Sequence, residues 1–166
     1  MENLTLRKWS AGDLGLLRRA NTAEMTTHLN GAESEQQLLE RNARYLRLWG
    51  AGEARMFVIE DDAHQPLGSI GFWNVEWRGA PALETGWFVV PEAQRRGVAS
   101  RALSLLIDDA KEHRGDRRSL VAFPSVTNPG SNAVCRRAGF ERVGTSTATF
   151  RGAELTMNEW VLDLGE

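Results

Sequence analysis

A short basic loop, Gln94-Arg95-Arg96-Gly97-Val98-Ala99, is the part of this sequence whose residue types point most directly to ligand chemistry. It lies between an apolar run that ends at Pro91 and an amphipathic run that begins near Arg95. The N-terminus of a helix presents unpaired N–H groups and the positive end of the helix dipole, and both attract phosphate oxygens. The loop therefore predicts a pyrophosphate site, with a solvated helix start as the alternative.

Other well-known chemical motifs do not occur in the sequence. It contains neither G-x-x-x-x-G-K-[ST] nor G-x-G-x-x-G, so neither a P-loop nor a dinucleotide fingerprint explains the basic loop. It also lacks the G-x-S-x-G elbow of serine hydrolases. His28, His64 and His113 do not have metal-ligand spacing, and no Asp/Glu/His cluster suggests a metal, so we expect no metal site.

The composition restricts the class of protein. A chain of 166 residues with 42% hydrophobic content predicts one domain over residues 1–166. The net charge of −2 gives no general attraction for nucleic acid, and neither an apolar run of 18 residues nor a signal peptide is evident. The single Cys135 excludes an intrachain disulfide framework and fits a reducing compartment. We therefore expect a cytoplasmic monomer or homodimer without nucleic-acid or membrane partners.

The surrounding elements must position the loop. Alternation from Leu4 to Trp9 predicts a strand, Ser10 with Asp13 predicts a capped helix start, and apolar spacing predicts a helix over 34–49. Further strands are expected at Arg55–Glu60, Leu67–Trp73, Ala82–Val90, Ser119–Phe123, Phe140–Gly144 and Leu155–Leu162, and further helices after the loop and at Pro129–Ala138. This order predicts an α/β domain with an antiparallel start and later crossover helices.

Two motifs carry a family resemblance. Gln94-x-x-Gly97-x-Ala99 follows a strand, and Asn128-x-x-Ser131-x-x-Val134-x-x-Arg137-x-Gly139-Phe140 follows farther along. Together they resemble the GCN5-related N-acetyltransferase (GNAT) superfamily, in the branch with ribosomal-protein N-terminal acetyltransferases, although Arg137 stands where lysine is more common. The resemblance covers Leu4 to Leu162 and is weakest from Asn21 to Glu53. It implies a single GNAT-like α/β domain whose mixed, mostly antiparallel splayed sheet of about seven strands is flanked by about four helices.

The resemblance also implies acetyl-CoA as the co-substrate. Pantetheine is expected to pair along the backbone of Phe88, Val89 and Val90, where two strands diverge. Asn128 is expected to bond pantetheine or the strand ends, and Arg137 a CoA phosphate, with a solvated helix charge as the alternative for Arg137. The residues expected to hold the pyrophosphate are Arg95, Arg96, Gly97, Val98, Ala99 and Ser100.

The implied reaction is acetyl transfer to a primary amine of a small molecule or a peptide. An alkylammonium is not a nucleophile, so a base is needed. Glu84 is the expected base, because period two places it on one strand face with Phe88 and burial raises a carboxyl pKa. A surface acid paired with an arginine is the alternative for Glu84, and water is the alternative base. The N–H of Val89 is expected to donate to the oxyanion of the tetrahedral intermediate.

The leaving thiolate needs a hydrogen-bond donor. Ser131 is the expected donor, and helix capping together with Asn128 is the alternative role. Many relatives carry a tyrosine where Cys135 stands, so Cys135 is the other possible acid, although a lone cysteine at helical spacing is typically a small buried residue. The side chains expected to form the acceptor wall, with core packing as the alternative, are Phe72, Trp73, Glu76, Trp77 and Trp87.

Two other functions remain open at the level of the sequence. The first is an acyltransferase that uses another acyl-CoA, or that takes acceptors such as aminoglycosides or polyamines. The second is a non-catalytic CoA-binding or sensing module, which the missing tyrosine favours and the retained Ser131 opposes.

Overall fold

In a computed structural model that describes residues 3–165, seven strands form one sheet in the order β1-β2-β3-β4-β5-β7-β6. The strands are β1 Thr5–Lys8, β2 Ala54–Glu60, β3 Pro66–Trp77, β4 Ala80–Val89, β5 Ser119–Ala122, β6 Glu141–Phe150 and β7 Ala153–Asp163. Neighbouring strands are antiparallel except β4 and β5, which are parallel. The mixed, mostly antiparallel α/β sheet is therefore confirmed.

Four α-helices accompany the sheet, namely α1 Leu14–Ala20, α2 Glu35–Ala51, α3 Val98–His113 and α4 Pro129–Arg137. The predicted start of α2 is confirmed, because Ser34 and Gln37 form a capping box there. The predicted start of α4 is confirmed as well, because the side chain of Asn128 accepts from the N–H of Ser131. Within residues 3–165, the helices are all too short or too polar to cross a membrane.

The helices cover both faces of the sheet. Trp9, which follows β1, donates from Nε1 to Asn42 Oδ1 of α2, and this bond ties α2 to one face. On the other face, Arg55 of β2 pairs with Asp109 of α3 at 2.7 Å. We call these the α1/α2 face and the α3/α4 face. The alternation of side chains along β4 places Glu84, Gly86 and Phe88 on the α1/α2 face.

Several predicted boundaries were wrong, including the end of β3, which extends to Trp77 instead of Trp73. The helix α3 begins at Val98 rather than near Arg95, because Arg95 and Gly97 have left-handed φ angles of 63° and 72°. The helix α2 continues past its predicted end at residue 49, through Gly50 to Ala51, and Gly52 is its C-cap. The last two strands form a hairpin longer than predicted, because the threonine-rich segment 144–150 continues the first of them.

Candidate active site

The sheet opens between β4 and β5. Their parallel pairing spans only Leu83–Thr85 and Leu120–Ala122. Beyond it the chain stays beside β7, where the carbonyl of Pro124 accepts from the N–H of Asn158 at 2.9 Å. In the described chain, residues 86–89 of β4 consequently pair with β3 on one side and with no strand on the other. The predicted divergence of these two strands is present, and we call this opening the gap.

Val89 turns its backbone groups toward the gap. Successive residues of an antiparallel strand direct their N–H and C=O groups to alternate sides. The N–H of Val90 donates to the carbonyl of Leu67 at 2.9 Å, so the N–H of Val89 points away from β3. The carbonyl of Val89 accepts from Nε2 of Gln94 at 2.9 Å instead of pairing with β3. The N–H that we expect to hold the oxyanion therefore faces the gap.

The same alternation corrects two of the three residues expected to pair with pantetheine. The Phe88 carbonyl points toward β3, where a Cβ built on Gly68 would lie 2.1 Å from its oxygen. The N–H of Val90 donates to Leu67, and its carbonyl accepts from the N–H of Ala93, so both groups are already bonded. Trp87, which the sequence indicated only for the acceptor wall and not for pantetheine, directs its backbone groups toward the gap as Val89 does. Three consecutive residues cannot all offer edge groups, because the direction of hydrogen bonding changes at each residue.

The start of α3 fits a pyrophosphate. Gly97 is the N-cap with a φ of 72°, and it has no side chain to cap the first turn. The N–H groups of Val98, Ala99 and Ser100 precede the first intrahelical donor, Arg101, whose N–H bonds to the Gly97 carbonyl. Apart from Gly97 itself and its two chain neighbours, no described residue has an atom within 4 Å of the position that a Cβ of Gly97 would take. Open space thus lies beside the N–H groups, as an anion requires.

Arginines surround this loop. Arg95 and Arg96 are exposed, and the left-handed φ of Arg95 turns the chain sharply. Arg101, which sequence reasoning missed, donates to the carbonyls of Gly97 at 3.4 Å and Arg96 at 3.2 Å. Its guanidinium thereby covers carbonyl oxygens that would repel phosphate and adds positive charge. The available signal was a basic residue one helical turn after Gly97.

Glu84 lies directly opposite Trp73 on β3. Burial raises the pKa of the Glu84 carboxyl to about 7, and a hydrogen bond from Trp73 opposes this rise. The Trp73 ring also extends over Gly86, since a Cβ there would lie 3.2 Å from Cη2. Among the described residues, Glu84 has no arginine partner. It therefore has the partly dry environment expected of a base.

Ser131 and Asn128 are bonded twice at the start of α4. Asn128 Oδ1 accepts from the Ser131 N–H at 3.1 Å, and Asn128 Nδ2 donates to Ser131 Oγ at 3.2 Å. Because Oγ accepts, the hydroxyl proton of Ser131 is free to be donated elsewhere. Asn128 thus caps α4, and its expected bond to pantetheine or the strand ends stays a prediction. Arg137 is exposed at the opposite end of α4.

Asn132 anchors the start of α4, and sequence reasoning missed it. Its Nδ2 donates to the carbonyls of Ser125 and Asn128, and its Oδ1 accepts from Asn158 Nδ2 and Trp160 Nε1, both at 2.8 Å. The side chain is buried and fully bonded. A polar residue on the inward face of a helix was the available signal.

Cys135 is a core residue. It has no exposed surface, and burial raises the pKa of its thiol to about 12. A side chain without exposed surface cannot contact a substrate, so Ser131 remains the better placed donor.

A loop between α1 and α2, residues 21–34, adjoins the gap on the α1/α2 face. Met25 Sδ accepts from Gln94 Nε2 at 3.3 Å, so the loop contacts the segment before α3. His28 Nδ1 lies 2.8 Å from Thr127 Oγ1, so it also contacts the segment between β5 and α4. The loop 21–34 therefore meets both borders of the gap.

The same loop is bonded to the turn between β6 and β7. Asn30 Nδ2 donates to the Phe150 carbonyl at 2.8 Å. Arg151 in the turn lies 3.1 Å from Glu33 Oε1, which also accepts from Arg41 Nη1 at 2.6 Å. These long-range contacts form a wall beside the gap on the α1/α2 face.

The turn between β3 and β4 reaches β7 as well. Trp77 Nε1 donates to Glu159 Oε1 at 3.2 Å, and Arg78 Nη2 lies 3.5 Å from Glu159 Oε2. The half-buried Glu159 is thus satisfied by an indole and a guanidinium.

Only part of the expected acceptor wall lies on the α1/α2 face. Trp73 and Trp77 are there, together with Glu84. Phe72, Glu76 and Trp87 alternate to the other face, and Phe72 is a core residue with 3% exposure. These three residues were therefore wrongly assigned to the acceptor wall. The pairing of β3 with β4 decides which face each residue lies on, and the composition of the segment does not reveal that pairing.

One group of potential metal ligands lies on α3, in contrast to the sequence analysis. Asp109, Glu112 and His113 bring ligand atoms within 4.8 Å of one another. Both carboxylate oxygens of Asp109 already accept from Arg55, at 2.7 and 3.0 Å. The group lies near the end of α3, on the α3/α4 face, and has no part in the gap.

Comparisons with known proteins agree on one fold. A protein-family model described as "Acetyltransferase (GNAT) domain" matches residues 3–141. A search of curated proteins found no match. Three solved structures are similar over nearly their whole length, at sequence identities that indicate the fold alone.

The first of the three, from Salmonella typhimurium, is an acetyltransferase that modifies the N-terminal serine of ribosomal protein L7/L12, with 22% identity, 96% of this chain and 94% of that chain covered, and a TM-score of 0.80. The second is spermidine N-acetyltransferase from Vibrio cholerae in complex with CoA and spermine. Its sequence identity is 19%, the match covers 97% of this chain and 95% of that chain, and the TM-score is 0.80. The third is the ribosomal-protein-S5-alanine acetyltransferase from Vibrio fischeri. Its sequence identity is 17%, the match covers 98% of this chain and 94% of that chain, and the TM-score is 0.79.

Proposed function

The chain belongs to the GNAT acetyltransferase family, and we propose that it transfers an acetyl group from acetyl-CoA to the primary amine of a peptide or a small molecule. One observation carries the proposal. The gap between β4 and β5 is bordered by the N–H of Val89, by Glu84 at the last paired positions, and by the helix start that holds Ser131. These are a hydrogen-bond donor for the oxyanion, a base, and a hydrogen-bond donor for the leaving thiolate.

The first turn of α3 supports binding of the co-substrate. The N–H groups of Val98, Ala99 and Ser100 would bind the pyrophosphate, with Arg95, Arg96 and Arg101 adding positive charge. The backbones of Trp87 and Val89 would pair with the amides of pantetheine along the gap. Acetyl-CoA supplies an acetyl group activated as a thioester.

Three groups of the protein would then act in turn. Glu84 takes the proton from the acceptor ammonium at its carboxylate, and a pKa of about 7 keeps much of this carboxyl ionised at neutral pH. The N–H of Val89 donates to the carbonyl oxygen as that oxygen gains negative charge. The amine nitrogen bonds to the thioester carbon, and the carbon–sulfur bond then breaks to release CoA as a thiolate. Ser131 Oγ–H donates a hydrogen bond to that sulfur, while Asn128 Nδ2 donates to Oγ.

The test is acceptor-dependent thiol release. The protein is incubated with acetyl-CoA and a panel of peptides, polyamines and aminoglycosides, free thiol is followed, and CoA binding is measured by calorimetry. Thiol release that requires an amine supports the proposal. Binding of CoA without release on any acceptor contradicts it in favour of a sensing module, and faster turnover of another acyl-CoA contradicts the acetyl donor.

A further inference from the structure

We infer that the acceptor is a singly charged amine with apolar groups beside it, the class of a peptide α-amino end, and not a polyamine. The inference rests on the proposed function and narrows its acceptor. Two observations carry it, namely the neutralised carboxylates around the gap and the apolar side chains exposed at its rim.

Besides Glu84, two half-buried carboxylates, Glu33 and Glu159, belong to the segments around the gap, and arginines neutralise both of them. The Glu33 side chain is 13% exposed and pairs with both Arg41 and Arg151. The Glu159 side chain is 16% exposed and pairs with Arg78. Neither carboxylate is left for a second ammonium group.

Glu84 alone among these three carboxylates lacks an arginine. One ammonium can therefore be received at Glu84. A second ammonium on the same acceptor would find Glu159 neutralised by Arg78 and Glu33 outnumbered by its two arginines, so neither carboxylate offers net negative charge to attract it. A polyamine carries at least two such groups at neutral pH, so the wall disfavours it.

Apolar side chains are exposed along the same wall. Of the described large apolar residues, five are exposed, and three of them are Leu29 at 39%, Val126 at 44% and Phe150 at 37%. Each lies on a segment that contacts loop 21–34 or belongs to it, through Asn30 to Phe150 and through His28 to Thr127 beside Val126. An apolar rim on contacting segments suits an acceptor whose amine has apolar neighbours.

The acid-base balance points the same way. An α-amino group has an ordinary pKa near 8, whereas an alkylamine lies near 10.4. Proton transfer to a carboxylate whose pKa is about 7 is therefore far less unfavourable from an α-amino group.

The direct test compares acceptors. We measure kcat/KM with saturating acetyl-CoA for Ala-Leu-Phe-amide, for Ala-Lys-Lys-amide and for spermidine. We expect the first to exceed both others by about tenfold or more, equivalent to ~1.4 kcal/mol. Equal or better use of spermidine overturns the inference and leaves the proposed function standing. Turnover of none of these three acceptors overturns the inference, and absence of turnover across the whole panel of the first test overturns the proposed function as well.

Charge-release variants test the cause. Arg78→Gln frees the carboxylate of Glu159, and Arg151→Gln removes one of the two partners of Glu33. We expect either change to raise the spermidine-to-peptide ratio of kcat/KM by several fold. Arg78 is largely exposed, so its variant is expected to fold, and retained CoA affinity verifies this.

The matched control is Arg118→Gln. It frees Asp163 from an exposed pair at 3.7 Å, near the start of β5 and away from the gap, with the same change in net charge. We expect its ratio to equal that of the parent protein. A ratio that is unchanged in both charge-release variants, or raised equally in the control, overturns the inference.

Discussion

Trp73 and Glu84 face each other directly across β3 and β4, and the indole is hydrogen-bonded to the carboxyl group. The same aromatic ring lies over Gly86, so it shields the strand from water beside the carboxyl. Burial raises the pKa of Glu84 more than the hydrogen bond lowers it. Two adjacent strands thereby set both the position of this carboxyl and the pH at which it ionises.

Replacing Glu84 with Gln should lower kcat by about 10²–10⁴-fold, since amide oxygen is a poor proton acceptor. CoA affinity should stay the same, because Glu84 is not part of the phosphate loop. The base acts in its ionised form, so kcat/KM of the parent should rise with pH through about 7. Glu76→Gln, an exposed change on the same hairpin, is the control. An identical pH profile in Glu84→Gln would exclude Glu84 as the base.

The same substitution should change stability with a definite sign. Between pH 4.5 and about 7 the folded protein keeps a proton on Glu84 that the unfolded chain has released. The parent therefore loses stability relative to Glu84→Gln as pH rises through this window, by on the order of 3 kcal/mol at most. Urea unfolding of both proteins at pH 5 and pH 8 measures the difference. A parent protein that kept or gained stability relative to Glu84→Gln between pH 5 and pH 8 would contradict burial as the cause.

Gly97→Ala should weaken CoA binding by about tenfold or more, since a methyl group would occupy the open space beside the first N–H groups of α3. The left-handed φ of 72° also costs ~1 kcal/mol of stability. Gly115→Ala, at a φ of 61° with open space around it, imposes a similar cost at the far end of α3. Calorimetry with CoA should separate them, and equal affinities would remove the loop from the site.

Ser131→Ala should reduce kcat by about tenfold or more and leave CoA affinity nearly unchanged, because only the hydroxyl donor is lost. The N–H of residue 131 still bonds Asn128, so the helix start is preserved. Ser104→Ala, an exposed serine on α3, is the matched control. Steady-state kinetics with CoA titration decides, and an equal kcat in the two variants would leave Ser131 with a capping role only.

Cys135→Ala should retain activity, because the thiol has no exposed surface and a raised pKa. Alkylation of the parent by a maleimide should follow global unfolding in urea. Loss of turnover in a variant that still binds CoA would show that Cys135 takes part in the chemistry.

Local signals in the sequence predicted the frame of the site. The signals for a helix start at Ser34, for Asn128 as a helix cap, for Gly97 beside a helix start and for Glu84 within an apolar strand depend on neighbours a few residues away. Period two then placed Glu84 on one face with Phe88. Such features follow from intrinsic conformational preferences, and these confirmed elements account for most of the sheet and helices.

Long-range relations were not predictable in the same way. The pair of Arg151 and Glu33 joins segments far apart in the chain, so neither residue alone indicates it. The hydrogen-bond direction of Phe88 depends on how β4 pairs with β3, which a single strand does not specify. The long-range ion pairs of the acceptor wall could therefore be identified only from the folded chain.

The gap in the sheet has a consequence for heat resistance. Residues 86–89 of β4 leave one row of backbone groups without a strand, and the bound co-substrate would supply the missing neighbour. Its pantetheine arm would then add hydrogen bonds to the open side of β4 and so stabilise the sheet, besides carrying the acetyl group. A ligand that completes a sheet binds the native state only. Each tenfold rise in its free concentration above Kd should therefore add ~1.4 kcal/mol to the free energy of unfolding.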